Sequence, residues 1–209
     1  MRPHNFVKGE FYHIYIHGIS NFEIFPNKKD YQRFLTLLFS ANGINSTPRL
    51  DRSIDLNLVW DIIAGKMKIG EPLVDIVCFC LMPTHFHLLV KERGDGNVSK
   101  YLHKILVSHA KYINLKYEKR GHLFESNFHS KHIDDNDYLL KISCYIHKNP
   151  KDLKSWKNKE HLYPWSSYQD YILENRWQHL LKKGIIEKQF KNLQEYKNFV
   201  EENYELDLS

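Results

Sequence analysis

The sequence predicts an α+β domain, a central antiparallel sheet with helices packed on one side of it, and two observations carry that prediction. Strand-like and helix-like segments intermix along the chain, and the apolar runs 74–82 and 85–91 are separated only by Pro83-Thr84, as a β-hairpin at the sheet centre requires. A length of 209 residues, 42% of them hydrophobic and 26% charged, suits one domain with appendages and excludes a disordered or collagenous chain.

The elements follow in order. Residues 10–17 (EFYHIYIH) are rich in β-branched and aromatic side chains and stop at Gly18, which reads as a strand. A helix follows, capped by Asn27 or Asp30, with Tyr31, Phe34, Leu35, Leu38 and Phe39 on one apolar face. Residues 42–72 mix turn formers and charges and read as an insertion with one short helix around 58–63. After the hairpin, Gly94-Asp95-Gly96 turns the chain and Asn97 caps a helix of about twenty residues. Its apolar side is Val98, Tyr101, Leu102, Ile105 and Leu106, and its other side carries Lys100, Lys104 and Lys111. HLFESNFHSKHI (122–133) is strand-like. A helix then starts behind Asp134-Asp135 and runs to Asn149, where Pro150 is expected to push residue 149 out of α geometry. Gln178 to Leu206 reads as one or two amphipathic helices.

No apolar run approaches the length of a membrane span, and Met1 to Glu10 lacks an apolar secretion segment, so a soluble, cytoplasmic protein without a membrane partner is expected. Cys78, Cys80 and Cys144 give neither a disulfide framework nor zinc knuckles and read as reduced, packed thiols. The net charge of +5 is unevenly distributed: residues 91–160 hold 15 Lys+Arg against 9 Asp+Glu, and the rest of the chain is close to balanced. That basic third interleaves with Tyr101, Tyr112, Tyr117, Phe124, Phe128, Tyr138 and Tyr145, a pattern suited to following phosphates while stacking bases. Its candidate DNA contacts are Lys100, Lys104, Lys111, Lys131, Lys141 and Lys148.

Strand alternation puts His85 and His87 on one face with Phe86 on the other, their Cα atoms about 6.6 Å apart, close enough for both rings to converge on one divalent ion. A chain with 13 histidines holds about one such pair by chance, so the pair alone decides little. Tyr145 and Asn149 are four apart on the helix before Pro150 and share a face. Lys141 and Lys148 flank the tyrosine and are positioned to lower the cost of a phenolate. His13 and His17 share a face of the first strand and are candidates for contact with DNA or with the outer shell of a metal. His129 and His132 have the wrong period for one strand face.

CLMPTHFHLLV (80–90), followed some sixty residues later by YIHKNP (145–150), resembles the REP-associated tyrosine transposases, members of the HUH single-tyrosine superfamily named for His-hydrophobic-His. FYHIYIHG (11–18), DYQRFLTLL (30–38), GHLFESNFHS (121–130), DDNDYLLK (134–141) and YPWSSYQDY (163–171) add to the likeness. The resemblance implies a ferredoxin-like α+β sandwich with the histidines on a central strand and the tyrosine on a helix beside it. It implies His85, His87 and Asn149 as ligands of Mg²⁺ or Mn²⁺ and Tyr145 as the nucleophile of a 5′-phosphotyrosine intermediate. The implied partner is single-stranded or hairpin DNA, cleaved near hairpin-forming repeats by a monomer or homodimer. The segment 42–72 and the run Lys151-Asp152-Leu153-Lys154 depart from the family pattern and bear on sequence preference. The resulting division is a transposase domain over 1–173 and a helical extension over 174–209. Two rival readings are a hairpin-binding regulator with catalysis weak or lost, and a metal hydrolase in which His85 and His87 activate water without any covalent adduct.

Overall fold

The computed structural model describes residues 5–45, 56–125 and 127–203. Residues 46–55 of the insertion, Ser126 in the GHLFESNFHS motif and residues 204–206 of the expected C-terminal helices lie outside the described residues.

Four strands form one antiparallel sheet: β1 (Phe11–His17), β2 (Val74–Leu81), β3 (His85–Glu92) and β4 (His129–Ile133), in the order β2-β3-β1-β4. Between β1 and β2 lie α1 (Lys28–Ser40) and the short α2 (Asn57–Ile63); between β3 and β4 lies α3 (Asn97–Lys116). Two strand-helix-strand crossovers interleaved in this order make the ferredoxin-like sandwich. The chain continues through α4 (Asn136–Lys148), α5 (Tyr168–Ile172), α6 (Gly184–Glu187) and α7 (Leu193–Glu202).

Strand alternation divides the core between the two faces of the sheet. Phe86 of β3 meets Phe34 of α1 at 5.0 Å between ring centroids, and the Tyr101 hydroxyl of α3 donates to Leu38 O at 2.9 Å, so α1 and α3 cover one face together. His87, on the opposite face of β3, meets Tyr145 of α4. The expectation of helices on one side of the sheet is therefore corrected: α4 covers the second face, because its stripe of Leu139, Ile142 and Ile146 also needs burial.

The hairpin also differs from the sequence reading. β3 is central, but β2 is the end strand of the four. Its near-continuous burial comes from loops that cover the open edge: Leu81 N–H donates to Trp165 O, Ser167 N–H to Phe79 O and Lys182 N–H to Ile76 O. Asn27 caps α1 in a reciprocal box with Asp30, as the sequence predicts. Asn97 does not cap α3. Gly96 holds the cap position at φ +78°, and the buried carboxylate of Glu92 takes the amides of Gly94 and Val98 instead. Among the described residues of the strand-like stretch 122–133, strand geometry is kept over β4, and an isolated bridge ties Phe124 to Gly18. All three cysteines are buried and free.

Candidate active site

The site is built on the face of the sheet that α4 covers. The register pairs Tyr15 with His87 and His17 with His85 across β1 and β3, and His13 with Lys131 and Tyr15 with His129 across β1 and β4. Because directly paired residues share a face, His13, Tyr15, His17, His85, His87, His129 and Lys131 all project to this side. His85 and His87 rings stand 5.1 Å apart, and His17 stacks on His85 at 4.7 Å.

Helix α4 starts at the Asp135 cap, whose carboxylate accepts from Tyr138 N–H. The pitch then puts Tyr145 and Asn149 one above the other, facing the histidines. Asn149 does not leave α geometry: at φ −51° and ψ −37° it stays helical, its N–H bonds to Ile146 O, and the chain tightens into a 3-10 turn over Asn149–Asp152. Pro150 lacks an N–H, so it ends the α ladder, while the tighter turn carries the twist through Asn149 and keeps its side chain in line with Tyr145.

The four side chains expected to carry chemistry come together. Asn149 Oδ1 lies 3.1 Å from His85 Nε2, and the Tyr145 ring lies 5.3 Å from His87 and 6.0 Å from His13. Burial is the leading cause of every pKa shift here. It lowers His85 to about 4 and His87 well below the ordinary imidazole range, so both rings are neutral at pH 7. Two neutral imidazoles and an amide oxygen are donors a divalent cation accepts. Among the described residues no group of three or more His, Cys, Asp or Glu side chains is disposed to hold a metal.

Burial raises the Tyr145 phenol above its usual value; a hydrogen bond with Asn149 opposes the rise and the Asp152 carboxylate adds to it. The flanking lysines do not supply the relief expected of them. Lys148 is committed to the Glu160 carboxylate at 3.1 Å, and Lys141 is exposed on the helix surface.

The candidate DNA contacts do not form one surface. Lys131 and Lys141 are exposed on the Tyr145 side, with Lys131 Nζ 5.1 Å from the Tyr138 ring centre. Lys100, Lys104 and Lys111 lie on α3, across the sheet from the tyrosine. Lys104 donates to the carbonyls of Gly43 and Asn45 at 2.7 and 3.2 Å and so ties α3 to the start of the insertion. Three neighbours of the site were given no firm role from sequence. Thr84 Oγ1 lies 3.1 Å from His85 Nδ1, His13 Nε2 lies 3.0 Å from His87 Nδ1, and Asp152 acts on both Tyr145 and His85. Face alternation along β1 is the signal that singles out His13.

A ferredoxin-like sandwich here sets a histidine pair on a central strand against a tyrosine and an asparagine on one covering helix. Residues 57–149 match the family model described as Transposase IS200 like, and this span contains His85, His87, Tyr145 and Asn149. Over that span the chain is similar to IS200-like transposases, in line with the resemblance carried by the motifs at 80–90 and 145–149. No curated protein gives a significant match. Among solved structures the chain is similar to a REP-associated tyrosine transposase bound to a REP hairpin, with 14% identity over 82% of this chain and 84% of that one and a TM-score of 0.49.

Proposed function

We propose that this chain nicks and rejoins single-stranded DNA beside a hairpin, through Tyr145. The observation that carries the reading is the convergence of Tyr145 and Asn149 of α4 on His85 and His87 of β3, with Asn149 Oδ1 and His85 Nε2 3.1 Å apart. In this reading His85, His87 and Asn149 hold Mg²⁺ or Mn²⁺, and the donor types fit: each imidazole is neutral, and the amide oxygen is a hard, uncharged ligand. When bound, the cation supplies Lewis-acid polarisation of the scissile phosphate.

The chain's own residues do the rest. Tyr145 Oη attacks phosphorus, forming a phosphotyrosine bond as the bond to the 3′ oxygen breaks. The phenolic proton leaves through solvent and the departing 3′ oxygen takes one up, so the balance closes without an oxidant or nucleotide cofactor. Asn149 holds the phenol by a hydrogen bond that favours its ionised form. Lys131 and Lys141 are proposed to steer the strand to the site, while Lys100, Lys104 and Lys111 would meet DNA only where it wraps to the α3 side. The division into a domain over 1–173 and an extension over 174–209 is kept as part of this proposal, as is action in the cytoplasm by a monomer or homodimer.

Tyr145→Phe tests the reading, because it removes one oxygen and leaves the ring in place. Incubation with a hairpin oligonucleotide and Mn²⁺ should give a covalent adduct on a denaturing gel with the native chain and none with the variant, at unchanged DNA affinity. Adduct persisting in Tyr145→Phe would remove Tyr145 as nucleophile. Hairpin binding by the native chain without cleavage would favour the regulator, and cleavage without any adduct would favour water activation.

A further inference from the structure

We propose that His13 is the positioning residue of His87, holding its Nδ1 so that Nε2 is presented to a divalent cation; the proposal rests on the reading of His87 as a ligand. His13 sits in the middle of β1, diagonal to His87 across the ladder, and is 0% exposed. Its Nε2 is 3.0 Å from His87 Nδ1, and the two rings are within 21° of parallel with centroids 5.2 Å apart, as in two imidazoles bonded side by side.

A neutral imidazole carries one proton. For His87 to ligate through Nε2, that nitrogen must offer its lone pair, so the proton lies on Nδ1 and needs an acceptor. His13 Nε2 is the atom at the right distance. His13 must then carry its own proton on Nδ1, an atom that is buried with no hydrogen-bond partner. The reverse pattern, with His13 donating to His87, leaves the same Nδ1 alone as an acceptor. A ring that strands a polar atom in either pattern is a poor choice for packing alone, since an apolar side chain would fill the space without that cost. His85 also has a neighbour at Nδ1, Thr84 Oγ1 at 3.1 Å; without a cation its Nε2–H donates to Asn149 Oδ1 at 3.1 Å, so ligation would move that proton to Nδ1, where the Thr84 oxygen can accept it. Both proposed histidine ligands thus have a hydrogen-bonding neighbour at Nδ1, the position from which outer partners orient the ring in histidine metal sites.

The test is titration of the full chain with Mn²⁺ alone, without DNA, reading free Mn²⁺ by electron paramagnetic resonance alongside thermal melts. His87→Ala should abolish the binding. His13→Gln carries an amide oxygen to about the position of Nε2 and should bind close to native. His13→Phe keeps the ring volume without an acceptor and should bind about 10–100-fold more weakly while melting no lower than native. Loss in His87→Ala with native affinity in His13→Phe would overturn the role of His13. Equal weakening in His13→Gln and His13→Phe that follows their melting temperatures would also overturn it, in favour of packing. Native affinity in His87→Ala would overturn the ligand reading itself, a result separable from the other two.

Discussion

Replacing His109 with Gln should make the protein more resistant to acid, by an amount the structure sets. His109 is buried among Phe25, Phe34 and Phe124 and lies 2.8 Å from Ile24 O through Nε2. Burial lowers its pKa from 6.5 to about 3, outweighing the hydrogen bond to Ile24, which acts the other way. Below pH 6.5 the unfolded chain takes up a proton that the folded ring refuses, so folding loses about 1.4 kcal/mol per pH unit from this residue. Between pH 7.5 and 4.5 that amounts to about 2.7 kcal/mol, the loss falling almost wholly in the two units below 6.5. Glutamine keeps a donor within reach of Ile24 O and does not titrate. His13 and His147, also lowered to about 3 by burial, titrate alike in both proteins and cancel in the comparison. Urea unfolding followed by circular dichroism at pH 7.5, 6.5, 5.5 and 4.5 should show the stability difference between variant and native chain moving by about 2.7 kcal/mol in the variant's favour. A difference that stays constant with pH would refute the claim that His109 folds as a neutral, buried ring.

Tyr196→Phe should cost about 1–3 kcal/mol in the same unfolding assay at pH 7.5, because the Tyr196 hydroxyl is 2.8 Å from His147 Nδ1 and its loss strands a buried ring atom two residues from Tyr145. Amide exchange should accelerate along α4 in that variant. Lys148→Ala and Lys141→Ala should behave differently. Lys148 neutralises Glu160, whose side chain is 5% exposed, so its loss should cost about 3 kcal/mol of stability. Lys141→Ala should leave the melt unchanged and flatten the slope of log K against log salt for single-stranded DNA by about 0.7.

The parts of this site legible in the sequence are those set by local period. Alternation along HFH places two rings on one face, and the helical pitch places Tyr145 beneath Asn149; neither depends on what packs above them. What escaped reading depends on atoms brought together from far along the chain. His13 and His87 are 74 residues apart, and their bond follows from the β1-β3 register, which no single strand encodes. The cap of α3 departs from the sequence expectation for the same reason. Asn97 has the right side chain and position, but the end of β3 delivers the buried Glu92 side chain to the helix N-terminus, where its two oxygens take the amides of Gly94 and Val98. The lysines repeat the lesson in electrostatics. A basic third of the sequence reads as one surface, yet the sheet runs between its two helices, and Glu160, twelve residues beyond Lys148, takes a lysine that flanks the tyrosine in sequence. Burial then has the opposite consequence for the two kinds of group in the site. It keeps the imidazoles neutral, as their proposed role as ligands requires, and it raises the phenol above its usual value, against the proposed role of Tyr145 as nucleophile. Lys148 is held by Glu160, so under the proposed function the charge that offsets this burial is that of the cation, which would tie ionisation of Tyr145 to a metal-loaded site.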